Sequence, residues 1–325
     1  MKALCSGVAL LVVLAQVLLT PTLAAAQDVT ITDWRGVSIA ATEGSVDSNG
    51  VKIMYHTVGD EGPLVIFVHG ITGPWFDFRH QMVMLSEKYR VVSMSTRGTD
   101  MSDKPVGDEH YVSARVADDI EAIIDHFGDD KATIVGQDAG GLHAWHFAFT
   151  RPERTERLVA LGSVHPAGLI RELMDSPDQQ KAGMFQQGLI ANPGAAQAFG
   201  ERLRGRPLNP NMPAELAQLQ KDSNMRTDAA SVVSFFRANW PRSPVTMDTV
   251  AFGFKYGEFP PVQAPVLLIY GKADGAFLNS TLNDMWEWVE APLTIHVLPG
   301  IGHGPHTEVA EFTTPRMMEW LETGR

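Results

Sequence analysis

The apolar run at 132–135 meets Gly136, Gln137, Asp138, Ala139, Gly140 and Gly141, then passes at once into a second apolar segment at 142–150. No other stretch constrains the fold so tightly. A short apolar run ending in turn residues predicts a buried strand, and the longer run after it predicts a helix. Three glycines around Gln137 and Asp138 predict a turn too sharp for ordinary residues. A strand that turns abruptly into a helix belongs to a sheet carrying helices on its faces. At such a junction the turn lifts Asp138 above the end of the sheet.

The rest of the chain repeats the alternation. Apolar runs at 51–57, 64–68, 90–94, 157–161, 266–270 and 293–298 predict strands, the first entered through the Asn49–Gly50 turn signal. Segments 78–87, 112–127, 282–288 and 309–321 predict helices; Val116, Ile120, Ile123 and Ile124 recur at helical spacing. This pattern predicts an α/β class with a mostly parallel, doubly wound sheet. Strand runs stop between 161 and 266. Residues 166–257, rich in Gln, Ala, Met, Asn and Pro, predict several short helices inserted as a cap over the strand ends, where open α/β sheets bind ligands. The core therefore divides into 27–165 and 258–325 around a cap at 166–257.

Residues 1–26 stand apart. Lys2, the apolar stretch 8–19 and the small residues Ala24, Ala25 and Ala26 predict an export signal, and hence a soluble protein that is periplasmic or secreted in a bacterial source. The single cysteine, Cys5, falls inside that segment; its removal leaves no thiol for a disulfide, a nucleophile or a metal. A net charge of −12 without a basic cluster argues against nucleic acid as a partner, and against a membrane surface once the signal is gone.

The carboxylate at the turn carries the chemistry. A hydroxyl that displaced a group from saturated carbon would end as an ether, which water does not readily cleave. A carboxylate ends as an ester, whose own carbonyl water can attack. Asp138 thus points to a saturated electrophile such as an epoxide or an alkyl halide; a plain turn aspartate is the bland alternative. Asp274 follows the run 266–270, and His303 sits in a glycine-flanked loop after 293–298. The order nucleophile, acid, histidine suits His303 as the base for a water, with Asp274 fixing its tautomer. No acid follows 157–161, where Ser163 stands, and His306 competes with His303. His69 and Gly70 end the run 64–68, so the Ile71 and Ala139 amides are candidates for an oxyanion hole, with His69 expected to be structural. Trp75, in the loop leaving Gly70, and Trp240 are candidates to line the pocket; Trp145 is expected in the core. Nothing in the pattern asks for a metal or a cofactor.

With Arg97–Gly98, Ser102–Pro105, His165–Pro166 and Gly302 to Glu308, these segments resemble the epoxide-hydrolase branch of the α/β-hydrolase superfamily, which also holds haloalkane and haloacetate dehalogenases. The resemblance covers nearly all of the chain outside signal and cap. It implies the α/β-hydrolase fold, a covalent ester on Asp138, its hydrolysis to a diol by water that His303 activates, a small apolar substrate, and no cofactor. The departures are specific. Ala139 stands where tryptophan is usual, Ile71–Thr72 replaces Phe-Pro, and Phe236 stands where a cap tyrosine would protonate the opening oxygen. No tyrosine occurs from 166 to 255; His165, Lys181 and Gln186 are the substitutes there, with Tyr256 at the cap exit. Halide needs no such proton, which keeps dehalogenation open, although Ala139 cannot grip a halide and Ala139 and Leu142 replace the arginines of haloacetate enzymes. An acyl hydrolase with Asp138 as base, or a non-catalytic ligand-binding protein, completes the alternatives.

Overall fold

Along Leu64–Val68, Leu64, Ile66 and Val68 pack into one hydrophobic cluster and Val65 and Phe67 into another. A strand that is apolar on both faces needs cover on both, and that requirement sets the architecture. The computed structural model describes residues 28–208 and 212–324, so the expected export signal lies outside the described residues. The sheet has nine strands: β1 (Asp28–Thr32), β2 (Ser38–Ser48), β3 (Val51–Val58), β4 (Leu64–Val68), β5 (Arg90–Met94), β6 (Ala132–Gln137), β7 (Thr155–Leu161), β8 (Val266–Gly271) and β9 (Leu293–Leu298). Their order is β1-β2-β3-β5-β4-β6-β7-β8-β9, antiparallel from β1 through β3 to β5 and parallel beyond.

Helices α1 (Arg79–Leu85), α2 (Ser113–Phe127) and α3 (Asp138–Thr150) follow β4, β5 and β6. On α2, the residues expected at helical spacing are those it buries against the sheet, and Gly128 ends it in the left-handed conformation, φ 73°. The insertion after β7 contains α4 (Pro166–Asp175), α5 (Pro177–Ala182), α6 (Met184–Ala191), α7 (Ala195–Arg204), α8 (Ala214–Arg226) and α9 (Ala229–Asn239). After β9 come α10 (Pro305–Glu308) and α11 (Ala310–Thr323), and α11 packs with α1 on the face opposite α2 and α3.

The insertion is fastened to the core at both ends: Arg171 of α4 donates to the Ser280 carbonyl at 2.9 Å, Gln179 of α5 bonds the 276–278 loop, and α9 makes a second set of contacts. Asn239 at the end of α9 accepts from the Ser113 amide (2.8 Å) and donates to the Tyr111 carbonyl (2.8 Å). The Tyr111 hydroxyl lies 2.5 Å from Ser231 Oγ, and Arg226 pairs with Asp100 at 2.6 Å. A Cβ at Gly98 would stand 2.4 Å from Ser231 Cβ, so a bare backbone is needed for this approach. Across the insertion, α6 and α7 overhang Ile71 and Thr72 and leave a cleft of about 530 Å³ lined by Phe185, Phe199, Arg202, Leu203 and Arg206.

Two local expectations fail. The strands β1 and β2 were not expected; β2 alternates only weakly, with most of its residues exposed or half-buried. Segment 282–288 is not a helix but parts of two 3₁₀ turns, Asn279–Leu282 and Met285–Trp288, broken where Asp284 takes φ 57°. No helix of the described residues is long and apolar enough to cross a membrane.

Candidate active site

The turn from β6 to α3 explains its own composition. Asp138 adopts φ 51°, a conformation that L side chains rarely take. A Cβ on Gly136 would fall 2.4 Å from the Gly140 carbonyl oxygen, and one on Gly140 would fall 2.1 Å from that of Val68. Both glycines are therefore steric requirements of the turn. The Ser163 hydroxyl ties it down by donating to the Asp138 carbonyl at 3.0 Å. Ser163 was noted in sequence only for not being an acid.

Three loops converge on the Asp138 side chain. His303 Nε2 lies 3.1 Å from its Oδ1, and His303 Nδ1 lies 2.8 Å from Asp274 Oδ2. The Ile71 amide donates to Asp138 Oδ2 at 3.1 Å, and the Ala139 amide also bonds the carboxylate. Asp138, Asp274, His303, Ile71 and Ala139 thus meet at one place. Asp274 is held rigidly: its Oδ1 accepts from the Ala276 and Phe277 amides. The buried Gln179 of α5 braces the same loop, donating to the Ala276 carbonyl and accepting from the Leu278 amide, both at 2.8 Å. Glu308 holds the histidine loop by accepting from the Gly302 and Gly304 amides, each at 2.9 Å.

The electrostatics follow from that contact set. Burial works against a charge on His303, but the hydrogen bonds and charges of Asp138 and Asp274 outweigh it and raise its pKa to about 10. For Asp138, burial favours the neutral acid, yet the His303 bond and the two amides hold its carboxyl below the ordinary carboxylate range. The resting pair is carboxylate and imidazolium.

Several other candidates are placed elsewhere. Trp75, expected to line the pocket, is packed in the core and stacks on His56 with centroids 3.6 Å apart. The 3₁₀ turn Trp75–Phe78 carries it onto the sheet face at β3 and β5, where its ring is buried. Phe236 and Trp240 pack against each other at 5.9 Å inside the insertion, and neither lines the cleft or the small cavity against Ile71 and Ala139; that cavity is faced by Phe235 instead. Trp145 is fully buried, as expected. His69 is structural: Nδ1 donates to the Gly70 carbonyl and Nε2 accepts from the Thr96 amide. His306 is buried against Phe78 and burial lowers its pKa to about 3, so it does not rival His303. His165 caps α4 and stacks on Trp288, and Lys181 is exposed. No cluster of metal-ligating side chains occurs among the described residues.

The fold and this constellation define a class. A family model described as alpha/beta hydrolase fold matches residues 63–308, and the chain belongs to that family. Within it the chain is 39% identical over 123 residues to an AB hydrolase superfamily protein of Bacillus subtilis, covering 37% of this chain and 43% of that one. It is 35% identical over 136 residues to epoxide hydrolase 1 of Caenorhabditis elegans, covering 42% and 34%. The aligned stretch thus spans less than half the length of either relative. Among solved structures, an epoxide hydrolase from metagenomes of hot environments matches with a TM-score of 0.72 at 26% identity, over 92% of this chain and 99% of that one. A mutant Bacillus megaterium epoxide hydrolase holding its product, (R)-3-[1]naphthyloxy-propane-1,2-diol, matches with a TM-score of 0.73 at 25% identity, over 86% and 100%.

Proposed function

We propose that this protein is an epoxide hydrolase working through an ester on Asp138. The observation that carries the reading is His303 set between the two carboxylates, one nitrogen to each. Asp138 attacks a ring carbon, a C–O ester bond forms, and the ring C–O bond breaks with its electron pair going to oxygen. That step consumes the negative charge on Asp138 and transfers it to the released oxygen. His303 then loses the partner that kept it protonated; its proton passes through solvent to the oxygen, and the imidazole becomes a base. It next takes a proton from water, whose oxygen adds to the ester carbonyl. The oxyanion so formed lies where the Ile71 and Ala139 amides donate. Collapse releases the diol and restores carboxylate and imidazolium, so no external proton is consumed. The cleft under α7 is within the usual size range for a drug-sized ligand, and Phe185, Phe199 and Leu203 suit an apolar one. Export from the cytoplasm belongs to the same proposal.

A single turnover in ¹⁸O-water tests it. The label is expected in the Asp138 carboxylate, because the first diol takes its new oxygen from the protein. A label found in the diol with none in Asp138 rules out the ester.

A further inference from the structure

The proposed reaction leaves one role unfilled, the donor to the oxygen of the opening ring. Residues 166–255 contain no tyrosine. Elsewhere, the Tyr55 hydroxyl lies 2.9 Å from His126 Nε2, and those of Tyr111 and Tyr270 donate to the Pro105 and Phe277 carbonyls.

Against Ile71 and Ala139 lies a cavity of about 30 Å³, walled also by His143, Thr99, Ser231 and Phe235 among others. That is room for roughly one water-sized group. Ile71 and Ala139 are the residues whose amides hold the Asp138 carboxylate, and His143 in the same wall lies near enough to feel the Asp138 charge. Most polar groups in its wall are committed. Arg97 is spent on Asp119 and the His110 and Arg115 carbonyls. The Thr99 hydroxyl donates to the Thr96 carbonyl, that of Ser231 to Asp228, and that of Tyr111 to Pro105. Both nitrogens of His69 are engaged, and Thr96 Oγ1 leans on Thr99 Oγ1 at 3.4 Å.

His143 is the exception. It lies one turn beyond Ala139 on α3, so both side chains face the cavity. Its ring is 4% exposed, stands edge-on to Phe235 at 5.0 Å, and keeps Nδ1 buried with no partner among the described residues. An orphaned buried nitrogen is costly and calls for a reason. Burial keeps the imidazole neutral, with its pKa lowered to about 3, so the ring carries one N–H at working pH. A neutral imidazole is a competent donor to developing negative charge on oxygen.

We propose that His143 donates the hydrogen bond that stabilises the oxygen released from the epoxide ring, the task that a tyrosine in the insertion would otherwise perform. The cavity takes that one atom, and Ala139, bearing a single methyl, leaves the space for it. His143 lends a hydrogen bond and keeps its proton; the proton that neutralises the oxygen is the one His303 gives up.

The inference rests on the epoxide reading, and the experiment separates the two. In an Asp274→Asn background, where ester hydrolysis is slowed and His303 is kept as the proton source, rapid-quench intact mass spectrometry follows ester formation from styrene oxide. With His143→Leu, the rate of ester formation should fall about 100- to 1,000-fold, the usual cost of one donor to a developing oxyanion. His143→Gln, which restores an N–H, should recover at least about tenfold of that loss, with the dissociation constant for the epoxide changed less than about threefold in both variants. The Leu variant should fold at least as stably as its parent in urea, because it removes an unpartnered polar group. Ester formation at the parent rate in the Leu variant, or no advantage of Gln over Leu, overturns the assignment. A parent that forms no ester overturns the epoxide reading, and the role of His143 with it.

Discussion

Replacing Asp138 with asparagine should convert His303 from a stored proton into an ordinary base. The Nε2–Oδ1 separation is 3.1 Å, and burial opposes the charge that this contact sustains. At an effective dielectric of about 20, unit charges about 4 Å apart attract by about 4 kcal/mol. That corresponds to roughly 3 pKa units at about 1.4 kcal/mol each. Solvent reaches both side chains, which are 33% and 21% exposed, so the figure is an upper one. His303 should therefore move from about 10 toward roughly 7 in Asp138→Asn. Titration of ¹⁵N-labelled histidine by NMR measures it directly. The same contact sets a stability window. The raised His303 pKa contributes stability that is complete below its ordinary 6.5 and is lost as pH rises through about 10. The depressed Asp138 pKa contributes stability present above its ordinary 3.8 and lost as pH falls through the lowered value. The difference in urea stability between wild type and Asp138→Asn should be widest between those limits and shrink toward pH 10. A His303 that titrates near 6.5 in the wild type, or does not move in the variant, refutes the reasoning. In the proposed reaction the ester removes the same charge, so the variant reports what that step would do to the base.

Asp274→Asn should slow ester hydrolysis by about 10²- to 10⁴-fold, because the amide can turn the imidazole to the wrong tautomer; burst kinetics would show the ester accumulating, and unchanged hydrolysis would dismiss Asp274 as the orienting acid. The mature protein recovered from outside the cytoplasm should begin near Gln27, read by N-terminal sequencing; a chain retaining residues 1–26 in the cytoplasm contradicts export.

Leu64–Val68, apolar on both faces and bounded by turn residues, was legible as a buried strand. The strands at 64–68, 90–94 and 293–298 appear at their expected limits. β2 was not legible, since a strand whose residues are mostly exposed or half-buried carries little apolar signal. Asp138, Asp274 and His303 could be read from chain order and from the loops that hold them. Gln179 and Ser163 could not, because each acts through a backbone group distant in sequence. His143 was hidden for a related reason. On a helix buried on nearly every side, a histidine looks like core, and only the cavity beneath Ala139 distinguishes it. Trp75 shows the opposite error, for a tryptophan near a reactive loop is still buried on the sheet face.

The fastening of the insertion through α5 and α9 divides its residues into two kinds. Around α9, almost every polar contact also positions a core loop, so change there disturbs the scaffold on which the chemistry depends. On α6 and α7, Phe185, Phe199, Arg202 and Leu203 border the opening without touching the three reacting side chains. New preferences can be acquired at that margin, one substitution at a time, with turnover left intact.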